Sequence, residues 1–204
     1  MLKAILLDAD GIVIQGRQKY FSEILSEKQG VELEVVLDFF KKDYKKCVLG
    51  QADLKQEVAK YLDKWKWQGT ADELLSFWFS KDGHPSPQIL EIIKQLRNQG
   101  MKVYIASDHS QYRAHDILQN MNLKEYFDGS FFSCNLGTTK KDSAFYIQAA
   151  QELGLDPNEI MFWDDEMENV EAAKKAGCMA YFYEGFKNFA ANLTKELNLR
   201  LKTK

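Results

Sequence analysis

Four short groups of polar residues in this chain are of types that can do chemistry: Asp8-Ala9-Asp10-Gly11, Ser107, Lys140-Lys141 and Asp164-Asp165. Carboxylates brought to one point repel one another, and the usual resolutions are protonation of one of them or binding of a hard divalent cation. Mg²⁺ takes oxygen ligands, keeps several waters, and is commonly held by one or two carboxylates together with a phosphate. Asp8 with one of Asp164 and Asp165, plus a backbone carbonyl near Asp10, matches that preference. An aspartate has an ordinary pKa of ~3.9, so at neutral pH it is ionised and can attack phosphorus with no base to activate it. Repulsion from the phosphate oxygens opposes the attack, and a metal ion and a lysine ammonium neutralise it. These residues suit phosphoryl transfer to an aspartate, provided that segments far apart in sequence meet.

The apolar pattern supplies a reason for them to meet. Ala4 to Leu7 is apolar without alternation, which suits a strand buried on both faces of a parallel sheet and leaves Asp8 at its carboxyl end. Gly11 allows a sharp turn just after the acids. Val103 to Ala106 reads as a second such strand, ending in Ser107, and Ile160 to Trp163 as another, ending in Asp164-Asp165. Phe131-Phe132 reads as a short strand and Met179 to Tyr183 as the last one. Helices are expected over Pro87 to Gln99, Gln111 to Met121, Ser143 to Leu153 and Val170 to Ala176, three of them stopped by Gly100, Gly154 and Gly177, with a closing surface helix over Phe186 to Leu197. Such alternation means parallel strands joined by right-handed crossovers, hence a doubly wound α/β sheet. Ligands bind at the carboxyl edge of such a sheet. The lysine pair falls in a loop on that same edge.

After Ile12-Val13-Ile14, which reads as a short extended flap, the pattern is helical as far as Ser86. Apolar stripes at Tyr20 to Leu25 and Leu33 to Phe40, a capping Asp53 before Leu54 and Val58, and a capping box at Thr70 and Glu73 predict about four helices, a small bundle. The expected organisation is a Rossmann-like core from residues 1–16 and 86–204 carrying an inserted helical domain, 17–85, hinged at Gln15-Gly16 and at Gly83 to Pro85.

Composition narrows the classes. The 204 residues are 45% hydrophobic and 28% charged, which suits one sizeable core with an insertion and excludes disordered and fibrous classes. A net charge of -3 gives no global attraction to nucleic acid or to anionic membranes, and no stretch approaches the ~20 apolar residues of a membrane-spanning helix. Cys47, Cys134 and Cys178 are odd in number and widely spaced, so they read as reduced core cysteines. The amino terminus lacks a signal peptide's basic region and cleavage site, and the expected location is cytoplasmic.

In this ordered set the sequence resembles the haloacid dehalogenase superfamily, in the branch with a helical cap inserted after the first motif. The first motif appears as Asp8-Ala9-Asp10-Gly11-Ile12, the second as Ser107, the third as Lys140-Lys141-Asp142 with Leu153-Gly154, and the fourth as Asp164-Asp165 with Asn169. The resemblance implies that Asp8 is the nucleophile forming an aspartyl phosphate and that Asp10 is the general acid and base. It implies that Ser107 and Lys140 hold the phosphoryl oxygens. Asp8, the Asp10 carbonyl and Asp165 would hold Mg²⁺, with Asp164 a second ligand or an outer-shell acid. Lys140 is favoured over Lys141 because it stands fourteen positions before Gly154, as in the family pattern. One departure is Asp108, where the family commonly has Asn; a further negative charge there narrows substrate choice or weakens phosphate binding unless it points away.

The implied activity is Mg²⁺-dependent hydrolysis of a small phosphomonoester, a sugar phosphate or nucleotide-like metabolite, with a phosphomutase of the same family as the alternative. A receiver-type signalling domain uses similar residues, but the helical insertion and the isolated Asp8 fit it poorly, and a degenerate binding module fits poorly because every motif position is filled. Dehalogenation leaves Asp10 with no alkoxide to protonate. Among the remaining conspicuous residues, Trp65, Trp67, Phe77, Trp78 and Phe79 read as bundle core rather than a ligand cage, the Lys41-Lys46 run as a solvated helix face, and His109 as a surface histidine.

Overall fold

The computed structural model describes residues 1–198 and 201. The chain begins with β1 (Ala4–Leu7), turns at residues 11–13, and forms the two-residue strand β2 (Ile14–Gln15). Five helices follow: α1 (Phe21–Gln29), α2 (Leu33–Lys42), α3 (Tyr44–Val48), α4 (Leu54–Ala59) and α5 (Ala71–Phe79). Next come β3 (His84–Pro85), α6 (Pro87–Asn98), β4 (Lys102–Ser107), α7 (Gln111–His115), β5 (Gly129–Phe132), α8 (Ser133–Leu136) and α9 (Ser143–Leu153). The described chain ends with β6 (Ile160–Asp164), α10 (Met167–Ala176), β7 (Met179–Phe182) and α11 (Phe186–Leu197).

Five strands form one parallel sheet in the order β5-β4-β1-β6-β7. The central strands β1 and β6 are buried along their whole length on both faces, as an unbroken apolar run requires. Ile5, Leu7, Val103, Ile105, Met161 and Trp163 face α6 and α11, while Ala4, Leu6, Ala106, Ile160 and Phe162 face α9 and α10. From β1 the chain moves outward through β4 to β5, then crosses back to β6 on the other side of β1. The switch in direction lies between β1 and β6, where open sheets place their ligands.

The helices α1 to α5 pack around an apolar cluster of their own, with Phe39 and Trp65 fully buried at its centre. The expected third helix is cut short, because α4 ends at Ala59 and residues 60–66 continue as turns. Helix α2 gives way to a separate α3 at Asp43, so the segment has five helices rather than four. The two chain crossings to the sheet lie side by side, with β2 and β3 paired antiparallel. Gly83 sits at φ +93, and a Cβ there would come within 2.5 Å of the Gln15 carbonyl oxygen, so only glycine fits beside the opposing strand.

Three local expectations need correction. The helix expected over Gln111 to Met121 changes after His115 into a π-helical turn over Asp116–Asn120, in which the Met121 N–H reaches the Asp116 carbonyl five residues back. Of the flap expected at residues 12–14, residues 12 and 13 lie in a turn and only Ile14 is extended, opening β2; the Gly11 N–H donates to the Ile14 carbonyl across that turn. Helix α11 is more than a surface closure, since Phe189 and Leu193 are fully buried and Phe189 stands edge-on to Trp163 at 4.9 Å. Cys47, Cys134 and Cys178 are buried and unpaired with one another. Among the described residues no helix is long and apolar enough to cross a membrane.

Candidate active site

The carboxyl ends of β1, β4 and β6 bring four of the singled-out side chains together, and the loop before α9 adds a fifth. Asp8 continues the β1–β6 ladder, its N–H donating to the Trp163 carbonyl at 3.0 Å. Its Oδ1 accepts from the Ala9 N–H at 2.8 Å and from the Ser107 hydroxyl at 3.1 Å, and the Lys140 ammonium stands 2.5 Å away. Lys140 also donates to Asp164 Oδ2 at 2.7 Å. Lys141, by contrast, points outward to Glu168. Asp164 Oδ1 accepts from the Glu166 N–H and from Asn169 Nδ2, so both oxygens of this fully buried carboxylate are already engaged.

Asp165 turns the other way and leans over Gly11. At φ +85, a Cβ on Gly11 would lie 2.0 Å from Asp165 Oδ2, so the bare glycine makes room for the carboxylate. Carboxylate oxygens of Asp8, Asp164 and Asp165 lie within 4.8 Å of one another.

This cluster is short of positive charge. Burial pushes the Asp8 carboxyl well above the ordinary carboxylate range against the pull of Lys140, with Asp164 and Asp10 adding to the rise. Desolvation alone would lower the Lys140 ammonium, yet Asp8, Asp164 and Asp108 outweigh it and hold its pKa well above the usual value. A single ammonium among several acids binds its proton tightly and leaves the acids under-compensated. The converging oxygen donors and this deficit fit a small hard divalent cation such as Mg²⁺.

Asp108 turns toward the loop before α9. Its carboxylate accepts from the Lys140 backbone N–H at 3.0 and 3.2 Å, so it anchors the loop that delivers Lys140.

Asp10 lies apart from the three-acid cluster, in surroundings that the sequence did not reveal. Its carboxylate meets Arg17 Nη1 at 3.2 Å, Arg113 Nη2 at 3.8 Å and His109 Nε2 at 3.9 Å. His109, expected at the surface, is buried beneath the helical segment. Arg113, on α7, is 1% exposed, donates to Asp116 at 2.6 Å and stands 3.7 Å from Asp82. The available signal was spacing: His109 and Arg113 follow Ser107 at two and six positions, on the stretch leading from β4 into α7. Burial raises the Asp82 carboxyl to about 6 despite Arg113 nearby.

Burial holds the His109 imidazole down at about 4, with Asp10 pulling upward and Arg113, Lys140 and Arg17 reinforcing the fall. Because its folded pKa is depressed below the unfolded value of 6.5, its contribution to stability is complete above pH 6.5 and is lost as pH falls toward 4. The loss amounts to about 3 kcal/mol. In urea unfolding at a series of pH values, His109→Gln should therefore gain on wild type by that amount between neutral and pH 4. A constant gap between the two proteins across that range would show that His109 is not held neutral.

A doubly wound parallel sheet with a carboxylate cluster at its switch point is the class that fold and site define. The family model for haloacid dehalogenase-like hydrolases matches residues 2–177. The chain belongs to that family and is a hydrolase. It is 27% identical over 206 residues to an enolase-phosphatase E1 of Aquifex aeolicus, covering 87% of each chain. It is 22% identical to a phosphorylated carbohydrates phosphatase of Thermotoga maritima, covering 86% of this chain and 82% of the other. A HAD family enzyme of Bacteroides thetaiotaomicron, solved in complex with magnesium and inorganic phosphate, superposes with a TM-score of 0.79 at 17% identity over 93% of this chain and 99% of that one.

Proposed function

We propose that the protein is a Mg²⁺-dependent phosphatase that hydrolyses a small phosphomonoester through a phosphate ester of Asp8. The observation that carries this reading is the convergence of Asp8, Ser107 and Lys140 at one strand edge, with Asp10 two residues away and turned toward the helical segment. Two similar proteins are named as phosphatases, which supports the same reaction class.

In this mechanism an Asp8 oxygen attacks phosphorus and the bond to the leaving oxygen breaks. Asp10 donates a proton to that oxygen, then takes one from the water that cleaves the aspartyl phosphate, so both half-reactions use one residue. Ser107 and Lys140 hold the transferring phosphoryl oxygens by hydrogen bond and charge. Asp8, Asp165 and the Asp10 carbonyl are the residues that would hold Mg²⁺, which when bound supplies charge neutralisation at the phosphoryl group. Asp164 serves as the anchor of Lys140, because its oxygens are committed to Lys140, Glu166 and Asn169.

The segment 17–85 acts as a cap on the core formed by 1–16 and 86–204, joined to it through the β2–β3 ribbon. Closure would exclude water while the aspartyl phosphate forms.

The test is turnover of p-nitrophenyl phosphate and of a panel of phosphorylated metabolites by the purified protein. Activity should depend on added Mg²⁺ and disappear with EDTA. Full activity after thorough chelation would remove the metal from the account, and no turnover of any phosphomonoester with Mg²⁺ present would refute the phosphatase reading.

A further inference from the structure

Above Asp10 the helical segment and the sheet edge enclose a cavity of about 390 Å³, toward the lower end of the ~300–1,000 Å³ common for small-molecule sites. Its walls are largely rings and aliphatic carbon: Phe21, Leu37, Phe40, Tyr44, Trp78 and Phe79. These rings brace one another. Phe21 stacks on Trp78 at 4.7 Å with 9° between the planes, and Phe40 stands edge-on to the same indole at 5.2 Å. Trp78 and Phe79, expected from the sequence to be bundle core only, thus also wall a cavity that opens toward Asp10.

The polar end of the cavity is incompletely satisfied. Arg113 is 1% exposed, and its Nε and Nη2 have no hydrogen-bond acceptor. The nearest carboxylates stand 3.7 and 3.8 Å away, too far for a hydrogen bond. Asp10 Oδ1 and His109 Nε2, beside them, are also without partners. Buried donors left unmet are costly, and Arg113 lines the cavity at the end where Asp10 stands.

We propose that this cavity takes the leaving group and selects a phosphomonoester of an alcohol with an apolar, planar body, bearing one hydrogen-bond acceptor close to the ester end for Arg113. The proposal rests on the phosphatase reading above and narrows the sugar phosphate or nucleotide-like metabolite expected from sequence, setting the sugar phosphate aside. The charged groups of the lining, Arg17, Asp82, His109 and Arg113, gather around Asp10 at one end; a sugar would press its remaining hydroxyls against the ring faces beyond them, whereas a planar apolar group replaces water there without stranding polar atoms.

The experiment uses the full-length protein with Mg²⁺ and four alkyl esters, so that every leaving group needs a proton. Two carry a phenyl ring and differ only in an ether oxygen replacing a methylene: 2-phenoxyethyl phosphate and 3-phenylpropyl phosphate. The others are glycerol 1-phosphate and glucose 6-phosphate. The expected kcat/KM for both phenyl esters exceeds that for glycerol 1-phosphate and glucose 6-phosphate by at least ~10-fold, with 2-phenoxyethyl phosphate the best of the four. Leu37→Gln, a polar change at a half-buried cavity position, should lower the ratio of phenyl ester to glycerol 1-phosphate. Arg113→Lys, which keeps the charge but not the planar fork, should bring the two phenyl esters toward equality. Glucose 6-phosphate turned over as well as the phenyl esters would overturn the proposal and leave the phosphatase reading standing. An ether preference that persists in Arg113→Lys would overturn the assignment of the acceptor to Arg113. Failure to hydrolyse any of the four or p-nitrophenyl phosphate would instead defeat the phosphatase reading.

Discussion

Asp8→Asn is expected to lower phosphomonoester turnover by about 10⁴-fold or more, a loss of the size seen when a member of a covalent catalytic set is removed. The amide is nearly the shape of the carboxylate, and its carbonyl oxygen can still accept from Ala9, Ser107 and Lys140. What it lacks is an anionic oxygen able to bond to phosphorus. The variant should therefore fold and melt cooperatively, so that kinetics and circular dichroism separate chemistry from structure. A rate within ~100-fold of wild type, no more than the loss of a positioned acid or base, would mean that Asp8 assists another nucleophile.

Lys140→Met should act on stability and rate together. Lys140 is 3% exposed and lies 2.5 Å from Asp8 and 2.7 Å from Asp164, so methionine would leave two buried carboxylates facing each other without a cation. Removing one partner of such a buried set costs about 3–5 kcal/mol. The sign of the pH dependence follows from the acids. The Asp8 carboxyl, already raised by burial, rises further above its unfolded value once the lowering pull of Lys140 is gone, so the deficit against wild type is greatest at neutral pH and shrinks as the pH is lowered and Asp8 takes a proton. Urea unfolding at pH 7 and pH 5 measures that change. A deficit that grows on acidification would contradict the ion-pair geometry. The rate at neutral pH should fall by at least ~100-fold as well, through loss of the ammonium beside the phosphoryl oxygens.

How much of this was legible in the chain depended on what placed each residue. Asp8, Ser107 and Asp164 follow apolar runs that could only be strands buried on both faces, so the parallel sheet and its shared edge carried them together. The orientation of Asp108 was not legible, because it depends on where the Lys140 loop returns after a 32-residue excursion. The surroundings of Asp10 were hidden for a similar reason. Arg17 and Asp82 lie at the two ends of the helical segment and Arg113 on α7, and only their packing brings these charges around one carboxylate. Local propensity misjudged Asp43, which divides α2 from α3 and accepts a hydrogen bond from the Tyr61 hydroxyl at 2.7 Å. It also missed the cavity above Asp10, since aromatic residues at helical spacing look alike whether they fill a core or wall a pocket.

The central claim is that Asp8 takes the phosphoryl group and Asp10 manages the proton. Asp10→Asn keeps the backbone carbonyl and nearly the side-chain shape but can neither donate nor accept that proton. With p-nitrophenyl phosphate, whose leaving group needs no proton, the first half-reaction should proceed and the second should stall. Mass spectrometry of the variant, quenched rapidly in acid after mixing with this substrate and Mg²⁺, should show one added phosphate on the peptide that contains Asp8. Phosphate on Ser107 or Asp164, or a variant that hydrolyses alkyl phosphates at the wild-type rate with no labelled peptide, would contradict the account.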